Sequence, residues 1–237
     1  MPNLGLRNKL ISASILTGGF WVAFDGTEDT IDFSTSFNNI FDASDYSMSA
    51  WIYPTDNNGT IFSTGHISLG NTVYLRFSYH TNTKLRVTFD GNALSSDADI
   101  LTTNSWQQVG FSYDHGASPS VRLYVNGSEV KNGSFTSSAV DDTNARIGAL
   151  AESVSSSGFE SRIANVAMFD DVVSASEMQD LASVHSYDAT SIGNCVGWWR
   201  MGAGTEAGEG STIYDMSTNS NNGTLTDNAV IESGTSI

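Results

Sequence analysis

A single cysteine, Cys195, excludes an internal disulfide, so stability has to come from packing or from partner subunits. Its neighbours Val196, Trp198 and Trp199 read as the setting of a buried, inert thiol. Basic residues are scarce. Ten lysines and arginines stand against 26 acids, and the formal charge of -16 opposes the counterion release by which proteins bind nucleic acid, so no nucleic-acid partner is expected. No stretch approaches the roughly 18 apolar residues of a membrane span, and membrane insertion is not expected either. Residues 10–24 follow Arg7 and Lys9 and superficially suggest a secretory leader, but Thr17-Gly18-Gly19 interrupts the run and no small-residue cleavage site follows. A soluble protein without a signal peptide is the expectation. The four histidines, His66, His80, His115 and His185, lack the spacings of a zinc site.

What the chain has in abundance is Ser, Thr, Asn, Asp and Gly, a composition suited to turn-rich strands. From residue 20 onward short alternating segments are separated by such clusters, predicting strands near 20–25, 30–33, 46–53, 59–64, 72–79, 84–90, 106–113, 120–126, 143–148, 160–169 and 196–201. Asn57-Asn58-Gly59, Asp90-Gly91, Asn126-Gly127 and Asn132-Gly133 supply residues that tolerate the positive φ of tight turns. Asn58-Gly59-Thr60, Asn126-Gly127-Ser128, Asn132-Gly133-Ser134 and Asn222-Gly223-Thr224 match glycosylation acceptors, but read better as turns. One helix is expected at about 175–183, where Ser174-Ala175-Ser176-Glu177 forms a capping box ahead of Met178, Leu181 and Val184. Residues 1–19 show no sustained alternation and carry Arg7 and Lys9, which suits a partner-binding arm ahead of one sandwich domain at 20–237; an ordinary first strand is the competing reading.

Several motifs in order carry a resemblance. Phe20-Trp21-Val22-Ala23-Phe24-Asp25-Gly26, Ser49-Ala50-Trp51-Ile52-Tyr53-Pro54, Trp106 to Val109 with Tyr113-Asp114, and Val121-Arg122-Leu123-Tyr124-Val125-Asn126-Gly127 resemble strands of concanavalin A-like lectin/glucanase domains of the laminin G-like, pentraxin-like type. The resemblance implies an all-β, two-layer antiparallel jelly-roll sandwich with one short helix. Val196-Gly197-Trp198-Trp199 and Asp215-Met216-Ser217 with Asn219 to Leu225 are similar to elements that precede the first strand in many relatives. Here they follow the sandwich, a circularly shifted order found in proteins from bacteriophage genomes.

Retaining glucanases of this superfamily place acids in a pattern like E-x-D-x-x-E, so that two carboxylates meet at about 5 to 5.5 Å. No such pattern occurs here, and Asp141-Asp142 and Asp170-Asp171 fall at strand ends or turns, so no catalytic residue is assigned. Relatives also hold a structural calcium. Asp25, Asp29 and Asp32 could offer oxygens, with a weak ion held by Asp25 or Asp29, but Ala164 occupies the position of the usual late-strand aspartate, and a plain turn around Asp25-Gly26 is at least an equal reading. For carbohydrate, alternation places Tyr74, Arg76, Ser78 and His80 on one side of a strand, Lys84, Arg86 and Thr88 on one side of the next, and Arg122 with Tyr124 on another. Tyr74, Arg76, Arg86, Arg122 and Tyr124 are the candidate glycan-binding residues, while Trp51, Trp106, Trp198 and Trp199 read as core aromatics.

The resemblance and the missing acidic motif together imply a non-enzymatic module. Its layout resembles a bacteriophage virion component, a capsid decoration or tail-associated adhesion protein. Such a protein would sit on the phage particle surface or tail and have other virion proteins, copies of itself or cell-surface glycans as partners. A free carbohydrate-binding lectin is the alternative, and a glycan hydrolase the distant one.

Overall fold

A computed structural model describes residues 19–34, 37, 40–41, 44–68, 71–80, 83–135, 145–151, 158–202 and 208–234, with 66–68 and 71–74 by backbone only. The arm at 1–18 with Arg7 and Lys9, and the acids Asp141 and Asp142, lie outside the described residues. In chain order the first strands are β1 (Gly19–Asp25), β2 (Thr30–Phe33), β3 (Tyr46–Pro54), β4 (Gly59–Ser68), β5 (Asn71–His80), β6 (Lys84–Phe89) and β7 (Asn92–Ser95). There follow β8 (Gln107–Tyr113), β9 (Val121–Val125), β10 (Ser128–Gly133), β11 (Ala145–Ile147) and β12 (Glu160–Phe169), then helix α1 (Ala175–Ser183). The chain closes with β13 (Cys195–Trp199), β14 (Gly208–Glu209), β15 (Thr212–Ile213), β16 (Gly223–Thr226) and β17 (Val230–Gly234).

These strands form two antiparallel sheets face to face, as expected of an all-β sandwich. One runs β10-β9-β8-β3-β12-β1-β17, and β13 joins it by pairing with the far half of β12; the other runs β14-β15-β16-β2-β11-β4-β5-β6-β7. Period-2 alternation explains the layering. On β3 Tyr46, Met48, Ala50 and Ile52 are fully buried in the core, as are Leu75, Phe77 and Tyr79 on β5 and Leu85, Val87 and Phe89 on β6. Aromatic edges lock the two layers together: Phe111 of the first sheet meets Phe77 of the second at 5.1 Å.

Helix α1 occupies the predicted span. The Ser174 side chain accepts from the Glu177 amide while Glu177 reaches back to the Ser174 N–H, so two otherwise orphaned donors are satisfied. Met178 and Leu181 then seal a second apolar cluster with Tyr124, Phe169, Val173 and Trp198 against the outer face of the first sheet. The helix lies close enough over the β9–β10 turn that a Cβ on Gly127 would come within 2.8 Å of the Gln179 Cα. Among the described residues it is the one α-helix, and no described helix is long and apolar enough to cross a membrane.

The turns divide. Asp90-Gly91 (φ 47 and 79) and Asn126-Gly127 (φ 49 and 72) take the consecutive left-handed conformations of a two-residue hairpin. Asn132-Gly133, expected as a turn, instead lies within β10, opposite Arg122 and Val121. Strands β7, β10 and β14 to β17 were not anticipated, being short or half-exposed and without clear alternation. Strands β16 and β17 account for the circularly shifted sequence: β16 pairs with β2, and β17 pairs with β1 so that Gly19 faces Gly234. With the two ends of the described chain side by side, exchanging which end carries these strands costs the fold little.

Candidate carbohydrate-binding face

On β5 and β6 the inward residues are all core, so Arg76, Ser78, His80, Lys84, Arg86 and Thr88 point out of the nine-stranded sheet. Register brings them together, with Arg76 beside Thr88, Ser78 beside Arg86 and His80 beside Lys84. Strand β4 extends the row: Thr60 lies opposite Ser78 and Ser63 opposite Arg76. The Arg76 Nε donates to Thr60 Oγ1 (3.1 Å), and Ser78 and Thr88 are buried at the base of the row. Beyond Ser63 lies Arg146 of β11, whose Nε is bound to Asp32 Oδ1 at 2.8 Å. The face is thus a band of basic side chains above a floor of buried hydroxyls, since Thr60, Ser63, Ser78 and Thr88 are all buried and Ser63 Oγ is bonded to the Ala149 carbonyl and the Ala151 amide.

Arg86 and His80 form its centre. The Arg86 Nη1 lies 3.3 Å from His80 Nε2, which is also 3.4 Å from Ser95 Oγ. An arginine can only donate, so this contact requires His80 to be neutral with a free lone pair on Nε2. Burial, then the charges of Arg86, Arg76 and Lys84, hold the imidazole below its ordinary range, in agreement with that geometry.

The five residues expected to bind glycan do not meet. Arg76 and Arg86 share this face, and the Tyr74 backbone continues the same strand opposite Gly65. Arg122 and Tyr124 belong to β9 in the other sheet, and because Val121, Leu123 and Val125 fill the core they point to the opposite side of the sandwich. There Arg122 is 3.7 Å from Glu129, and Tyr124 is 1% exposed beneath α1, where burial raises its hydroxyl pKa. Alternation had given the side of each strand correctly but not the sheet to which the strand belonged.

The tryptophans also divide. Trp199 is fully buried in the main core and Trp198 in the cluster under α1, as expected. Trp51 and Trp106 are half-buried outside the core, Trp51 on the outer side of β3 with its Nε1 donating to the Leu181 carbonyl. Trp106 joins Trp21 (5.7 Å) and Tyr53 (5.6 Å) in an aromatic patch on the first sheet, and the Arg162 guanidinium lies over the Trp21 and Tyr53 rings. Glu232 accepts from Trp21 Nε1 at 2.7 Å and lies 3.5 Å from Arg162. Beside this patch Ala23, Asp25, Glu160, Arg162 and Glu232 line a shallow depression of about 310 Å³. The outward alternation of Trp21 on β1 and Tyr53 on β3 was visible in the sequence; the pairing of Tyr53 with Arg162 was not.

The aspartates proposed for calcium serve the backbone instead. Asp29 is buried, with Oδ2 accepting from the Asp25 amide (2.7 Å) and Oδ1 from the Asn228 amide (2.8 Å), and burial raises its pKa. Asp25 Oδ1 accepts from both the amide and hydroxyl of Thr27, which hold its carboxyl below the usual value. Among the described residues no three His, Cys, Asp or Glu side chains converge as a metal site. Calcium takes about six to eight oxygens, and this set does not fit it. Micromolar calcium is therefore expected to leave the thermal midpoint unchanged, whereas a saturating rise would show that an ion binds the folded state.

The sequence matches the family model of the concanavalin A-like lectin/glucanases superfamily over residues 25–179, more than half of the chain. A comparison with curated proteins gives no match. Among solved structures, a Bacteroides ovatus protein described as carbohydrate-binding superposes with a TM-score of 0.68 at 18% identity, covering 90% of this chain and 59% of that one. The chain thus spans less than two thirds of that protein's length. The CBM40 of the Ruminococcus gnavus IT-sialidase, bound to alpha2,3 sialyllactose, gives 0.56 at 13% identity over 70% of this chain and 97% of its own. A heptameric SAP-like pentraxin of Limulus polyphemus gives 0.54 at 13% identity over 69% of this chain and 82% of its own. At these identities the structures speak for the fold, which the sheet order, the helix and the family match describe in common: the chain belongs to the concanavalin A-like lectin/glucanases superfamily.

Proposed function

We propose that this chain is a non-catalytic carbohydrate-binding module whose saccharide lies across the outer face of β4, β5 and β6. The observation that carries the reading is the half-buried group of Arg76, His80, Lys84 and Arg86, brought together by register on one face of β5 and β6. Saccharide recognition needs many directional donors and acceptors on a rigid scaffold, and adjacent strands of a sheet supply them at fixed spacing. Superposition on a protein described as carbohydrate-binding and on a sialyllactose-bound module supports the same reading. These structures favour the lectin expectation over the virion one, which rests on the order of sequence elements, the N-terminal arm and the missing catalytic motif.

The non-catalytic part rests on the sequence, which lacks paired acids at strand spacing, and on how the remaining acids are used. Asp171 accepts from the Val172 amide and from Asn194 Nδ2, and Glu232 is held by Trp21 and Arg162. A glycan array probed with the purified protein tests the reading. Retention of a defined set of glycans, recovered uncleaved, is expected; no retained glycan would remove the proposal, and cleaved products would replace it with a hydrolase.

A further inference from the structure

The band is more positive than recognition of a neutral sugar requires. Arg76, Lys84 and Arg86 project from one face of two adjacent strands in a chain of net charge -16. Their charges are felt together, since all three lower the affinity of His80 for a proton. Elsewhere four described cations have acidic partners: Lys131 is 2.6 Å from Asp97, Arg146 is bound to Asp32, and Arg122 and Arg162 lie near glutamates, while Arg200 lies over the Trp198 ring. Arg86 and Lys84 differ. Among the described residues neither has a carboxylate within ion-pair distance, and Arg86 Nε is buried without a hydrogen-bond partner.

A guanidinium has five N–H donors, and the bond to His80 uses one of them. Half-burying an arginine without a counter-charge is costly, and the cost is recovered when an anion arrives. We infer that the saccharide bound on this face is anionic, its carboxylate or sulfate group seated against Arg86 and Lys84. The inference rests on the carbohydrate-binding reading above and adds the class of ligand. Carboxylates and sulfates match the guanidinium fork, and charge-assisted bonds of this kind are roughly twice as strong as neutral ones. Salt weakens an attraction that acts at a partly exposed surface.

The test uses an array carrying sialylated, uronate-containing and sulfated glycans beside their neutral parents, followed by calorimetry on the strongest hit. Acidic members are expected to be retained and their neutral parents not, with binding weakened by added sodium chloride. Arg86→Gln and Lys84→Gln, each checked for an unchanged thermal midpoint, should each lower affinity for that hit about tenfold or more. Should Arg86→Gln fail to fold, Lys84→Gln carries the test alone, since its side chain is at the edge of the band. Retention of nothing on the array removes the carbohydrate reading itself. Equal retention of neutral parents, or full affinity in a folded Lys84→Gln variant, leaves that reading standing and overturns the anionic ligand. Hexaglutamate binding as tightly as the best glycan would overturn the saccharide in favour of an acidic peptide.

Discussion

Replacing Asp215 by alanine is expected to destabilise the protein by about 3 to 5 kcal/mol, although the residue is far from the proposed binding face. Its carboxylate accepts four hydrogen bonds: Oδ1 from the amides of Trp198 (2.9 Å) and Ser217 (2.8 Å), Oδ2 from the Ser217 hydroxyl and the Asn221 amide (both 2.8 Å). Asp215 is 8% exposed, so alanine would leave inward-facing backbone donors without a partner. The rest of the motif depends on this centre. Asn222 Oδ1 accepts from the Asp215 amide, and Asn219 and Asn221 both donate to the Val196 carbonyl. Asp215→Asn keeps an acceptor oxygen and should fall between alanine and the wild type. Urea denaturation measures both; an alanine variant within about 1 kcal/mol of the wild type would show that water replaces the carboxylate.

Trp199→Ala should be comparably severe, costing about 3 to 5 kcal/mol and lowering the thermal midpoint by about 10 °C. The indole is fully buried, 4.8 Å from the Phe33 ring and 6.2 Å from that of Phe37, and its Nε1 donates to the Asn221 carbonyl at 2.8 Å. It thereby ties the segment after α1 to the aromatic core between the sheets. Phenylalanine would fill much of the space and lose only the hydrogen bond, so Trp199→Phe is expected to cost about 1 to 2 kcal/mol. Because Asp215 and Trp199 are linked through Asn221, the double alanine variant should be less destabilised than the sum of the two. An additive result would mean that the two anchors act separately.

Both residues stood in motifs that the sequence displayed openly, yet their physical role could not be read there. Asp215-Met216-Ser217 and Asn219 to Leu225 looked like a family signature; the structure shows a carboxylate whose lone pairs are spent on three backbone amides and the Ser217 hydroxyl. Local rules performed well where the determinants were local. The Ser174-to-Glu177 capping box placed α1, and alternation along β3, β5 and β6 separated core from surface. What alternation could not supply was long-range pairing. Arg122 and Tyr124 faced outward relative to the core as expected, but on the sheet opposite Arg76 and Arg86, with α1 folded over Tyr124. Asp29 was chemically suited to a cation, and only the position of Asn228, 199 residues away, shows its second oxygen in use by the backbone.

The aromatic patch of Trp21, Tyr53 and Trp106 offers a competing surface that resembles a sugar platform. Its rings are already engaged, since Arg162 lies over two of them and Glu232 holds the Trp21 indole. That arrangement covers apolar surface with a long basic side chain and occupies a face of the Trp21 and Tyr53 rings. On β5 and β6, by contrast, Arg86 Nε has no hydrogen-bond partner, and among the described residues neither Arg86 nor Lys84 has a carboxylate within ion-pair distance.

A crystal structure of the protein with a bound oligosaccharide from the array compares the two faces directly. The sugar is expected across β4, β5 and β6, within hydrogen-bond distance of Arg86. Density for the sugar on the Trp21, Tyr53 and Trp106 patch, with the β4 to β6 face bare, would contradict the assignment.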